Sequence, residues 1–173
     1  MLIKHVGIGI LLIVFMAAGV QAQTGVANIK GTSANSLLKG TVNLTDTPAG
    51  LKVDARLTGL PPGQHGFHIH EFGSCDDMGK AAGGHYNPEN AMHGMVVKDG
   101  IMKAHAGDLG NITAGTDGTA TLEAVIPDVT LNDNKHSVAG RAFIVHEKVD
   151  DFSQPVGNAG SRIGCGTIVI TGK

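Results

Sequence analysis

The sequence predicts an all-β protein of about eight antiparallel strands, arranged as a sandwich or flattened barrel with two long loops. Three observations carry that expectation. Apolar and polar residues alternate with a period of two in several segments, which turns alternate side chains to one buried face. Glycine occupies 26 of 173 positions and only 16% of residues are charged, a composition of many turns and short elements. No segment of the mature chain shows a convincing helical period.

The strands follow in order. Val26 to Lys30 forms the first. Val42 and Leu44 alternate in the second, and Thr47-Pro48-Ala49-Gly50 turns it back. The third is the clearest: Leu51, Val53, Ala55 and Leu57 are apolar, while Lys52, Asp54, Arg56 and Thr58 are polar. Pro61-Pro62-Gly63 then turns into His65 to Phe72. A short segment spans Asp108 to Thr113, and an Asp117-Gly118 turn leads into Thr119 to Ile126, where Ala120, Leu122, Ala124 and Ile126 face one way. Ser137 to His146 and Cys165 to Thr171 complete the set. Two stretches, Gly73 to Ala104 and Lys148 to Ile163, break the pattern as long Gly-rich loops. Loops of that length inside a compact domain usually carry function, and both begin just past strands that end in His.

The length suits a single domain. Lys and Arg number 13 against 15 Asp and Glu, a formal charge of -2, so no broadly basic footprint for nucleic acid exists. Residues 1–22 read as a secretory signal peptide: Lys4 precedes an apolar run from Val6 to Val20, and Val20-Gln21-Ala22 offers small residues for cleavage before Gln23. A membrane anchor is the alternative, but the run is short for a hydrocarbon core of about 30 Å. Residues 23–173 are then the mature domain, exported and free of the membrane. Export makes oxidation of the two cysteines, Cys75 and Cys165, the expected state, with two inert thiols as the alternative. That disulfide would close most of the domain into one loop, worth roughly 4 kcal/mol in a chain-entropy picture. No CxxC spacing supports a zinc knuckle.

Nine histidines ask for a chemical reason. In Phe67-His68-Ile69-His70, two imidazoles share one face of a strand and the apolar pair turns to the core, a chelating arrangement. His85, His93, His105 and Asp108 follow in and just after the long loop, and three His with one Asp satisfy a tetrahedral zinc site. His146 ends a separate strand. Six histidines and one aspartate make seven ligands, whereas two four-coordinate metals need eight. One imidazole shared between two cations, deprotonated at both nitrogens, closes the gap. The all-imidazole site suits copper and the carboxylate-containing site suits zinc. His65 and His136 read as ordinary hydrogen-bonded histidines. Asn43 and Asn111 match a glycosylation pattern and receive no weight.

These segments resemble the copper/zinc superoxide dismutase family. GFHIHEFGSC (66–75), GGHYNP (83–88), HAGDLGN (105–111), GRAFIVHEKVDD (140–151) and GNAGSRIGCG (157–166) are similar to its motifs, in order, over essentially the whole mature chain. The resemblance implies an eight-stranded Greek-key flattened barrel of immunoglobulin-like sandwich architecture and the Cys75–Cys165 disulfide. It implies copper on His68, His70, His85 and His146, and zinc on His85, His93, His105 and Asp108, with His85 as the bridge. Arg162 would dock the anionic substrate, superoxide, and Asp150 would join His68 to His93 through their second nitrogens. The reaction implied is disproportionation of superoxide to dioxygen and hydrogen peroxide, with His85 also acting as an internal acid and zinc holding it in place.

Some features depart from the family. The loop FSQPVGNAGS (152–161) holds no charged residue, so long-range steering of the anion should be weaker. GMVVKDGIMKA (94–104), between His93 and His105, is less like the family, which bears most on His93. Cys75 close behind His70 resembles exported bacterial members and favours a periplasm over the extracellular medium. A homodimer is expected only as a prior, because the family pairs through different surfaces. The rival functions are a non-enzymatic copper-handling or metal-storage protein and a secreted zinc hydrolase; no ligand or docking Arg is missing to favour the first, and no HExxH supports the second.

Overall fold

The structure, a computed structural model, describes residues 22–172. The expected signal peptide lies outside the described residues except for its last position. Among the described residues, no helix is long and apolar enough to cross a membrane.

Eight strands are present: β1 (Thr24–Gly31), β2 (Lys39–Thr47), β3 (Gly50–Thr58), β4 (Gly63–His70), β5 (Asp108–Ala114), β6 (Ala120–Ile126), β7 (Ala142–His146) and β8 (Arg162–Gly172). They close into one antiparallel barrel in the order β1-β2-β3-β6-β5-β4-β7-β8, so β3 neighbours β6 and β4 neighbours β7 in Greek-key fashion. Closure gives every strand two neighbours, although β5 and β6 meet only at Ala114 and Ala120. The alternation read in β3 acts as expected: Leu51, Val53, Ala55 and Leu57 are all buried. The β2–β3 turn depends on Gly50, whose φ of 122° and close approach to the Ile126 carbonyl would put an added Cβ 2.2 Å from that oxygen. The core fills the barrel interior, where Phe67 of β4 and Phe143 of β7 stack with centroids 5.0 Å apart.

Boundaries differ from expectation in several places, beginning with β4, which runs from Gly63 to His70 rather than from His65 to Phe72. β7 begins at Ala142 rather than Ser137, because residues 137–141 form a turn in which Arg141 Nε donates to the Ser137 carbonyl at 2.8 Å. β8 begins earlier, at Arg162, because pairing with β7 extends beyond the alternating run. Two short helical turns interrupt the long β4–β5 loop, a 3-10 turn at Lys80–Ala82 and α1 (Val96–Asp99), the latter anchored by buried Val96. A period of two or 3.6 is not legible in four residues.

Two irregularities prepare the site. The β4–β5 register shifts between Gly66 and His68, and the β7–β8 register shifts between Val145 and His146. Bulges bend a strand and re-aim the side chains beside them. Both shifts fall at histidines singled out from the sequence.

Candidate metal centre

His68 and His70 leave β4 on the face opposite Phe67 and Ile69, which lie in the core. Both imidazoles are buried because the long loops 71–107 and 147–161 cover that face. His85 from the first loop, and His146 from the end of β7, bring a nitrogen each to within 4.8 Å of theirs and of one another. Ring centroids of His68 and His85 are 4.1 Å apart, and those of His68 and His146 are 5.0 Å apart. In a second cluster, His85, His93, His105 and Asp108 likewise bring one nitrogen or oxygen each to within 4.8 Å of the others. His85 belongs to both.

Each imidazole is oriented by the hydrogen bond on its other nitrogen. His68 Nε2–H donates to Asp150 Oδ2 at 2.8 Å, His70 Nδ1–H to the Gly83 carbonyl at 3.0 Å, and His146 Nδ1–H to the Gly160 carbonyl at 3.2 Å. The opposite nitrogens, His68 Nδ1, His70 Nε2 and His146 Nε2, are buried and have no hydrogen-bond partner. A buried polar atom left unpaired costs about 1–3 kcal/mol, so three lone pairs aimed at one point fit a cation. Burial is also the main reason these rings resist protonation. It lowers His68 to about 4, His70 to about 2 and His146 to about 3, with neighbouring imidazoles adding repulsion and Arg162 adding to it at His70 and His146.

The second cluster gathers around Asp108. His85 Nδ1 lies 2.7 Å from its Oδ1, His93 Nδ1 lies 2.7 Å from its Oδ2, and the backbone N–H of Gly94 donates to Oδ2 at 3.0 Å. His105 Nδ1 approaches to 3.2 Å without making a hydrogen bond. Burial alone would raise the Asp108 pKa, but the surrounding His105, His85 and His93 hold it far below the usual carboxylate range. Burial likewise opposes charge on His93, yet its bonds to Asp108 and Asp150 raise it to about 9. Three Nδ1 atoms converging on a carboxylate match the donor set of a tetrahedral divalent site.

Asp150 spans the two clusters. Its Oδ2 receives His68 and its Oδ1 lies 2.9 Å from His93 Nε2, and these contacts outweigh burial to keep it ionised. Arg162, at the start of β8, donates Nη1 to the Gly79 carbonyl and Nη2 to the Gly83 carbonyl, each at 2.6 Å. It thus shares the Gly83 oxygen with His70. Cys75 and Cys165 form a disulfide across 90 positions, tying the loop that carries those two carbonyls to β8.

The sequence model of the copper/zinc superoxide dismutase family (SODC) matches residues 38–168. The chain belongs to that family. A solved structure described as "Crystal Structure Analysis of the clock protein EA4" is similar to it, with 31% sequence identity, a TM-score of 0.76, and coverage of 91% of this chain and all of that one. The superoxide dismutase barrel is therefore shared with a protein that carries another name.

Sequence reading singled out the residues now found in both clusters, together with Asp150 and Arg162, and all of them converge. It passed over the bracing roles of Asn111 and Gln154, and His65, read as an ordinary hydrogen-bonded histidine, is one. His65 is buried, with ring nitrogens 2.9 Å from the His146 carbonyl and 2.8 Å from the Pro61 carbonyl, so whichever carries the proton braces that turn of the chain. Asn111, noticed only as a glycosylation acceptor, clamps Asp150: its Nδ2 donates to the Asp150 carbonyl at 2.9 Å and its Oδ1 accepts the Asp150 N–H at 2.7 Å. Gln154 grips His93 in the same way. Nothing in a neutral loop sequence signals such a contact. His136 pairs with Glu89 at 2.6 Å, away from the clusters, an ordinary hydrogen-bonded histidine.

Proposed function

We propose that this protein is a copper- and zinc-dependent superoxide dismutase. The observation that carries the reading is the pair of buried clusters sharing His85, one of them presenting three unpaired imidazole nitrogens to a common point. His68 Nδ1, His70 Nε2, His146 Nε2 and the outer nitrogen of His85 would hold copper. Nδ1 of His85, His93 and His105, with Asp108, would hold zinc. Copper, when bound, supplies one-electron chemistry, so that one superoxide leaves as dioxygen and a second as hydrogen peroxide.

The remaining steps belong to the chain. Arg162 is held by the backbone carbonyls of Gly79, Lys80 and Gly83, and its fixed guanidinium is a docking point for a small anion beside His70 and His146. Asp150 holds His68 with its Nδ1 lone pair free and His93 with its Nδ1 turned to Asp108. His85, oriented at Nδ1 by Asp108, would offer its Nε2 to copper or to a proton in turn, and in the protonated form would pass that proton to the departing peroxide, the second proton coming from solvent. Burial of the imidazoles, Asp108 and Asp150 keeps water from competing for their contacts.

The second reading is a non-enzymatic metal-binding protein. A fold does not fix an activity, and the structural neighbour is named a clock protein. A superoxide assay on the metal-reconstituted protein separates the two. Activity is expected, with His146→Ala lowering it by more than about 100-fold, beyond the effect of losing an outer partner of a ligand. Arg162→Ala should lower kcat/KM about tenfold while metal content stays intact. Activity that survives His146→Ala would sink the copper-site mechanism. We also propose export by the signal peptide to a periplasm, supported by the sequence of residues 1–22; intact mass of the native protein should place its first residue at Gln23.

A further inference from the structure

His93 sits where the two long loops meet. Its side chain is fully buried between Asp108 at Nδ1 and Asp150 at Nε2. Its backbone is held as well. The His93 N–H donates to Gln154 Oε1 at 3.0 Å, and Gln154 Nε2 donates to the His93 carbonyl at 2.9 Å. One side-chain amide thus satisfies both polar groups of a residue 61 positions away. Phe152 stacks beside the imidazole, with centroids 6.2 Å and planes 20° apart.

The segment 150–158 is braced to present these groups. Asp151 N–H donates to the Gly157 carbonyl at 2.9 Å, and Gly157 N–H donates to the Ser153 carbonyl at 2.8 Å. Asn158 Nδ2 donates to Ser153 Oγ at 2.8 Å and to Asp151 Oδ2 at 3.2 Å. Phe152 has φ 58°, a left-handed backbone that an aromatic residue rarely adopts, and its N–H is tied to Asp150 Oδ1 at 2.8 Å. A Cβ added at Gly157 would stand 1.8 Å from Asp150 Oδ1 and 2.7 Å from His93 Nε2, so only a bare residue lets those two meet.

We propose that Gln154 is a positioning residue that clasps His93 and so slows the loss of zinc. The inference rests on the zinc reading of the cluster around Asp108. Swinging His93 away from Asp108 requires its backbone to move, and both backbone groups are paired to one side chain, so two hydrogen bonds break together. The loop that carries no steering charge is in this view a retaining strap, closed over the ligand whose surroundings depart most from the family pattern.

The test is release of zinc from the copper- and zinc-loaded protein into excess 4-(2-pyridylazo)resorcinol, followed by the colour of the chelate. Gln154→Ala should release zinc about tenfold faster than the parent, the size typical of losing an outer partner. Gln154→Glu keeps the acceptor but loses the donor, and should fall between. Val42→Ala is the control for general loosening: it opens the core at β2, which pairs with β1 and β3. It should lower the melting temperature without reproducing the zinc effect. Unchanged release from Gln154→Ala, or equal acceleration in Val42→Ala, would overturn the clasp. Hydrogen exchange of the His93 amide in metal-free protein gives a second measure, expected to rise at least tenfold in Gln154→Ala; full protection there overturns it independently of zinc. A parent chain that takes up no zinc would defeat the zinc reading, and the clasp with it.

Discussion

At the scale of single residues, the hydrogen bond on one imidazole nitrogen decides what the other can do. His68, His70 and His146 are each committed at one nitrogen, and burial keeps the second free of a proton. This arrangement sets a pH dependence for the metal-free protein. Below the ordinary histidine value of 6.5 the unfolded chain takes up protons that these three rings refuse until about 4, 2 and 3, so their stabilisation is full above 6.5 and is lost as pH falls toward those values. His93 runs the opposite way: raised to about 9, it contributes fully below 6.5 and loses its contribution as pH rises through 9. Metal-free protein should therefore be most stable near pH 6.5, with the steeper fall on the acid side. Thermal unfolding between about pH 4 and pH 9 checks this, and a melting temperature that is flat down to pH 4 would contradict it.

At the scale of elements, bulges and a cross-link place the site. The register shifts in β4 and β7 fall at His68 and His146, which lets two strands of one barrel wall aim imidazoles at a shared point. Chain alternation made the β4 pair visible beforehand, but a bulge depends on the partner strand and leaves no local mark. The disulfide acts on the loop in front of the site. Cys75 ties it to β8, and that loop supplies the Gly79 and Gly83 carbonyls that hold Arg162. Cys75→Ser should cost about 2–5 kcal/mol, a fall in melting temperature on the order of 10 °C. The loaded variant should also lose kcat/KM for superoxide at a temperature where it remains folded, because the acceptors of Arg162 are no longer pinned. An unaltered kcat/KM would separate the disulfide from Arg162.

At the scale of the whole molecule, the charge is close to balanced, and 152–161 contributes none of it. The structure adds one cation that the sequence order concealed: Lys80 lines the same 300 Å³ cleft as Arg162, together with Met78, Gly160 and Ser161. Exposed lysines, Lys80 and also Lys148 beside Gly160, give a field that salt screens within about 8–10 Å. The rate with superoxide should thus fall only modestly as salt is raised, and Lys80→Gln should flatten what dependence there is. Pulse radiolysis across ionic strength measures both; a steep decline that persists in Lys80→Gln would show that the field arises elsewhere.

The sequence by itself determined the class of fold and the chemistry available to it. Alternation in β3 and β6, turns at Gly50 and Gly118, and the identities of His68, His70, His85, His93, His105, His146 and Asp108 are all local features, and local steric and hydrophobic preferences suffice to read them. Tertiary structure alone decided which nitrogen of each ring stays free, that Asn111 and Gln154 are braces rather than surface polar groups, and that β7 starts at Ala142. The roles of Asn111 and Gln154 depend on groups 39 and 61 positions away, and the free nitrogens of His68, His70 and His146 on partners 82, 13 and 14 positions away, brought together by barrel closure and loop packing. A hydrogen bond between such partners has no periodicity along the chain, so it exists only once the long-range pairing has formed.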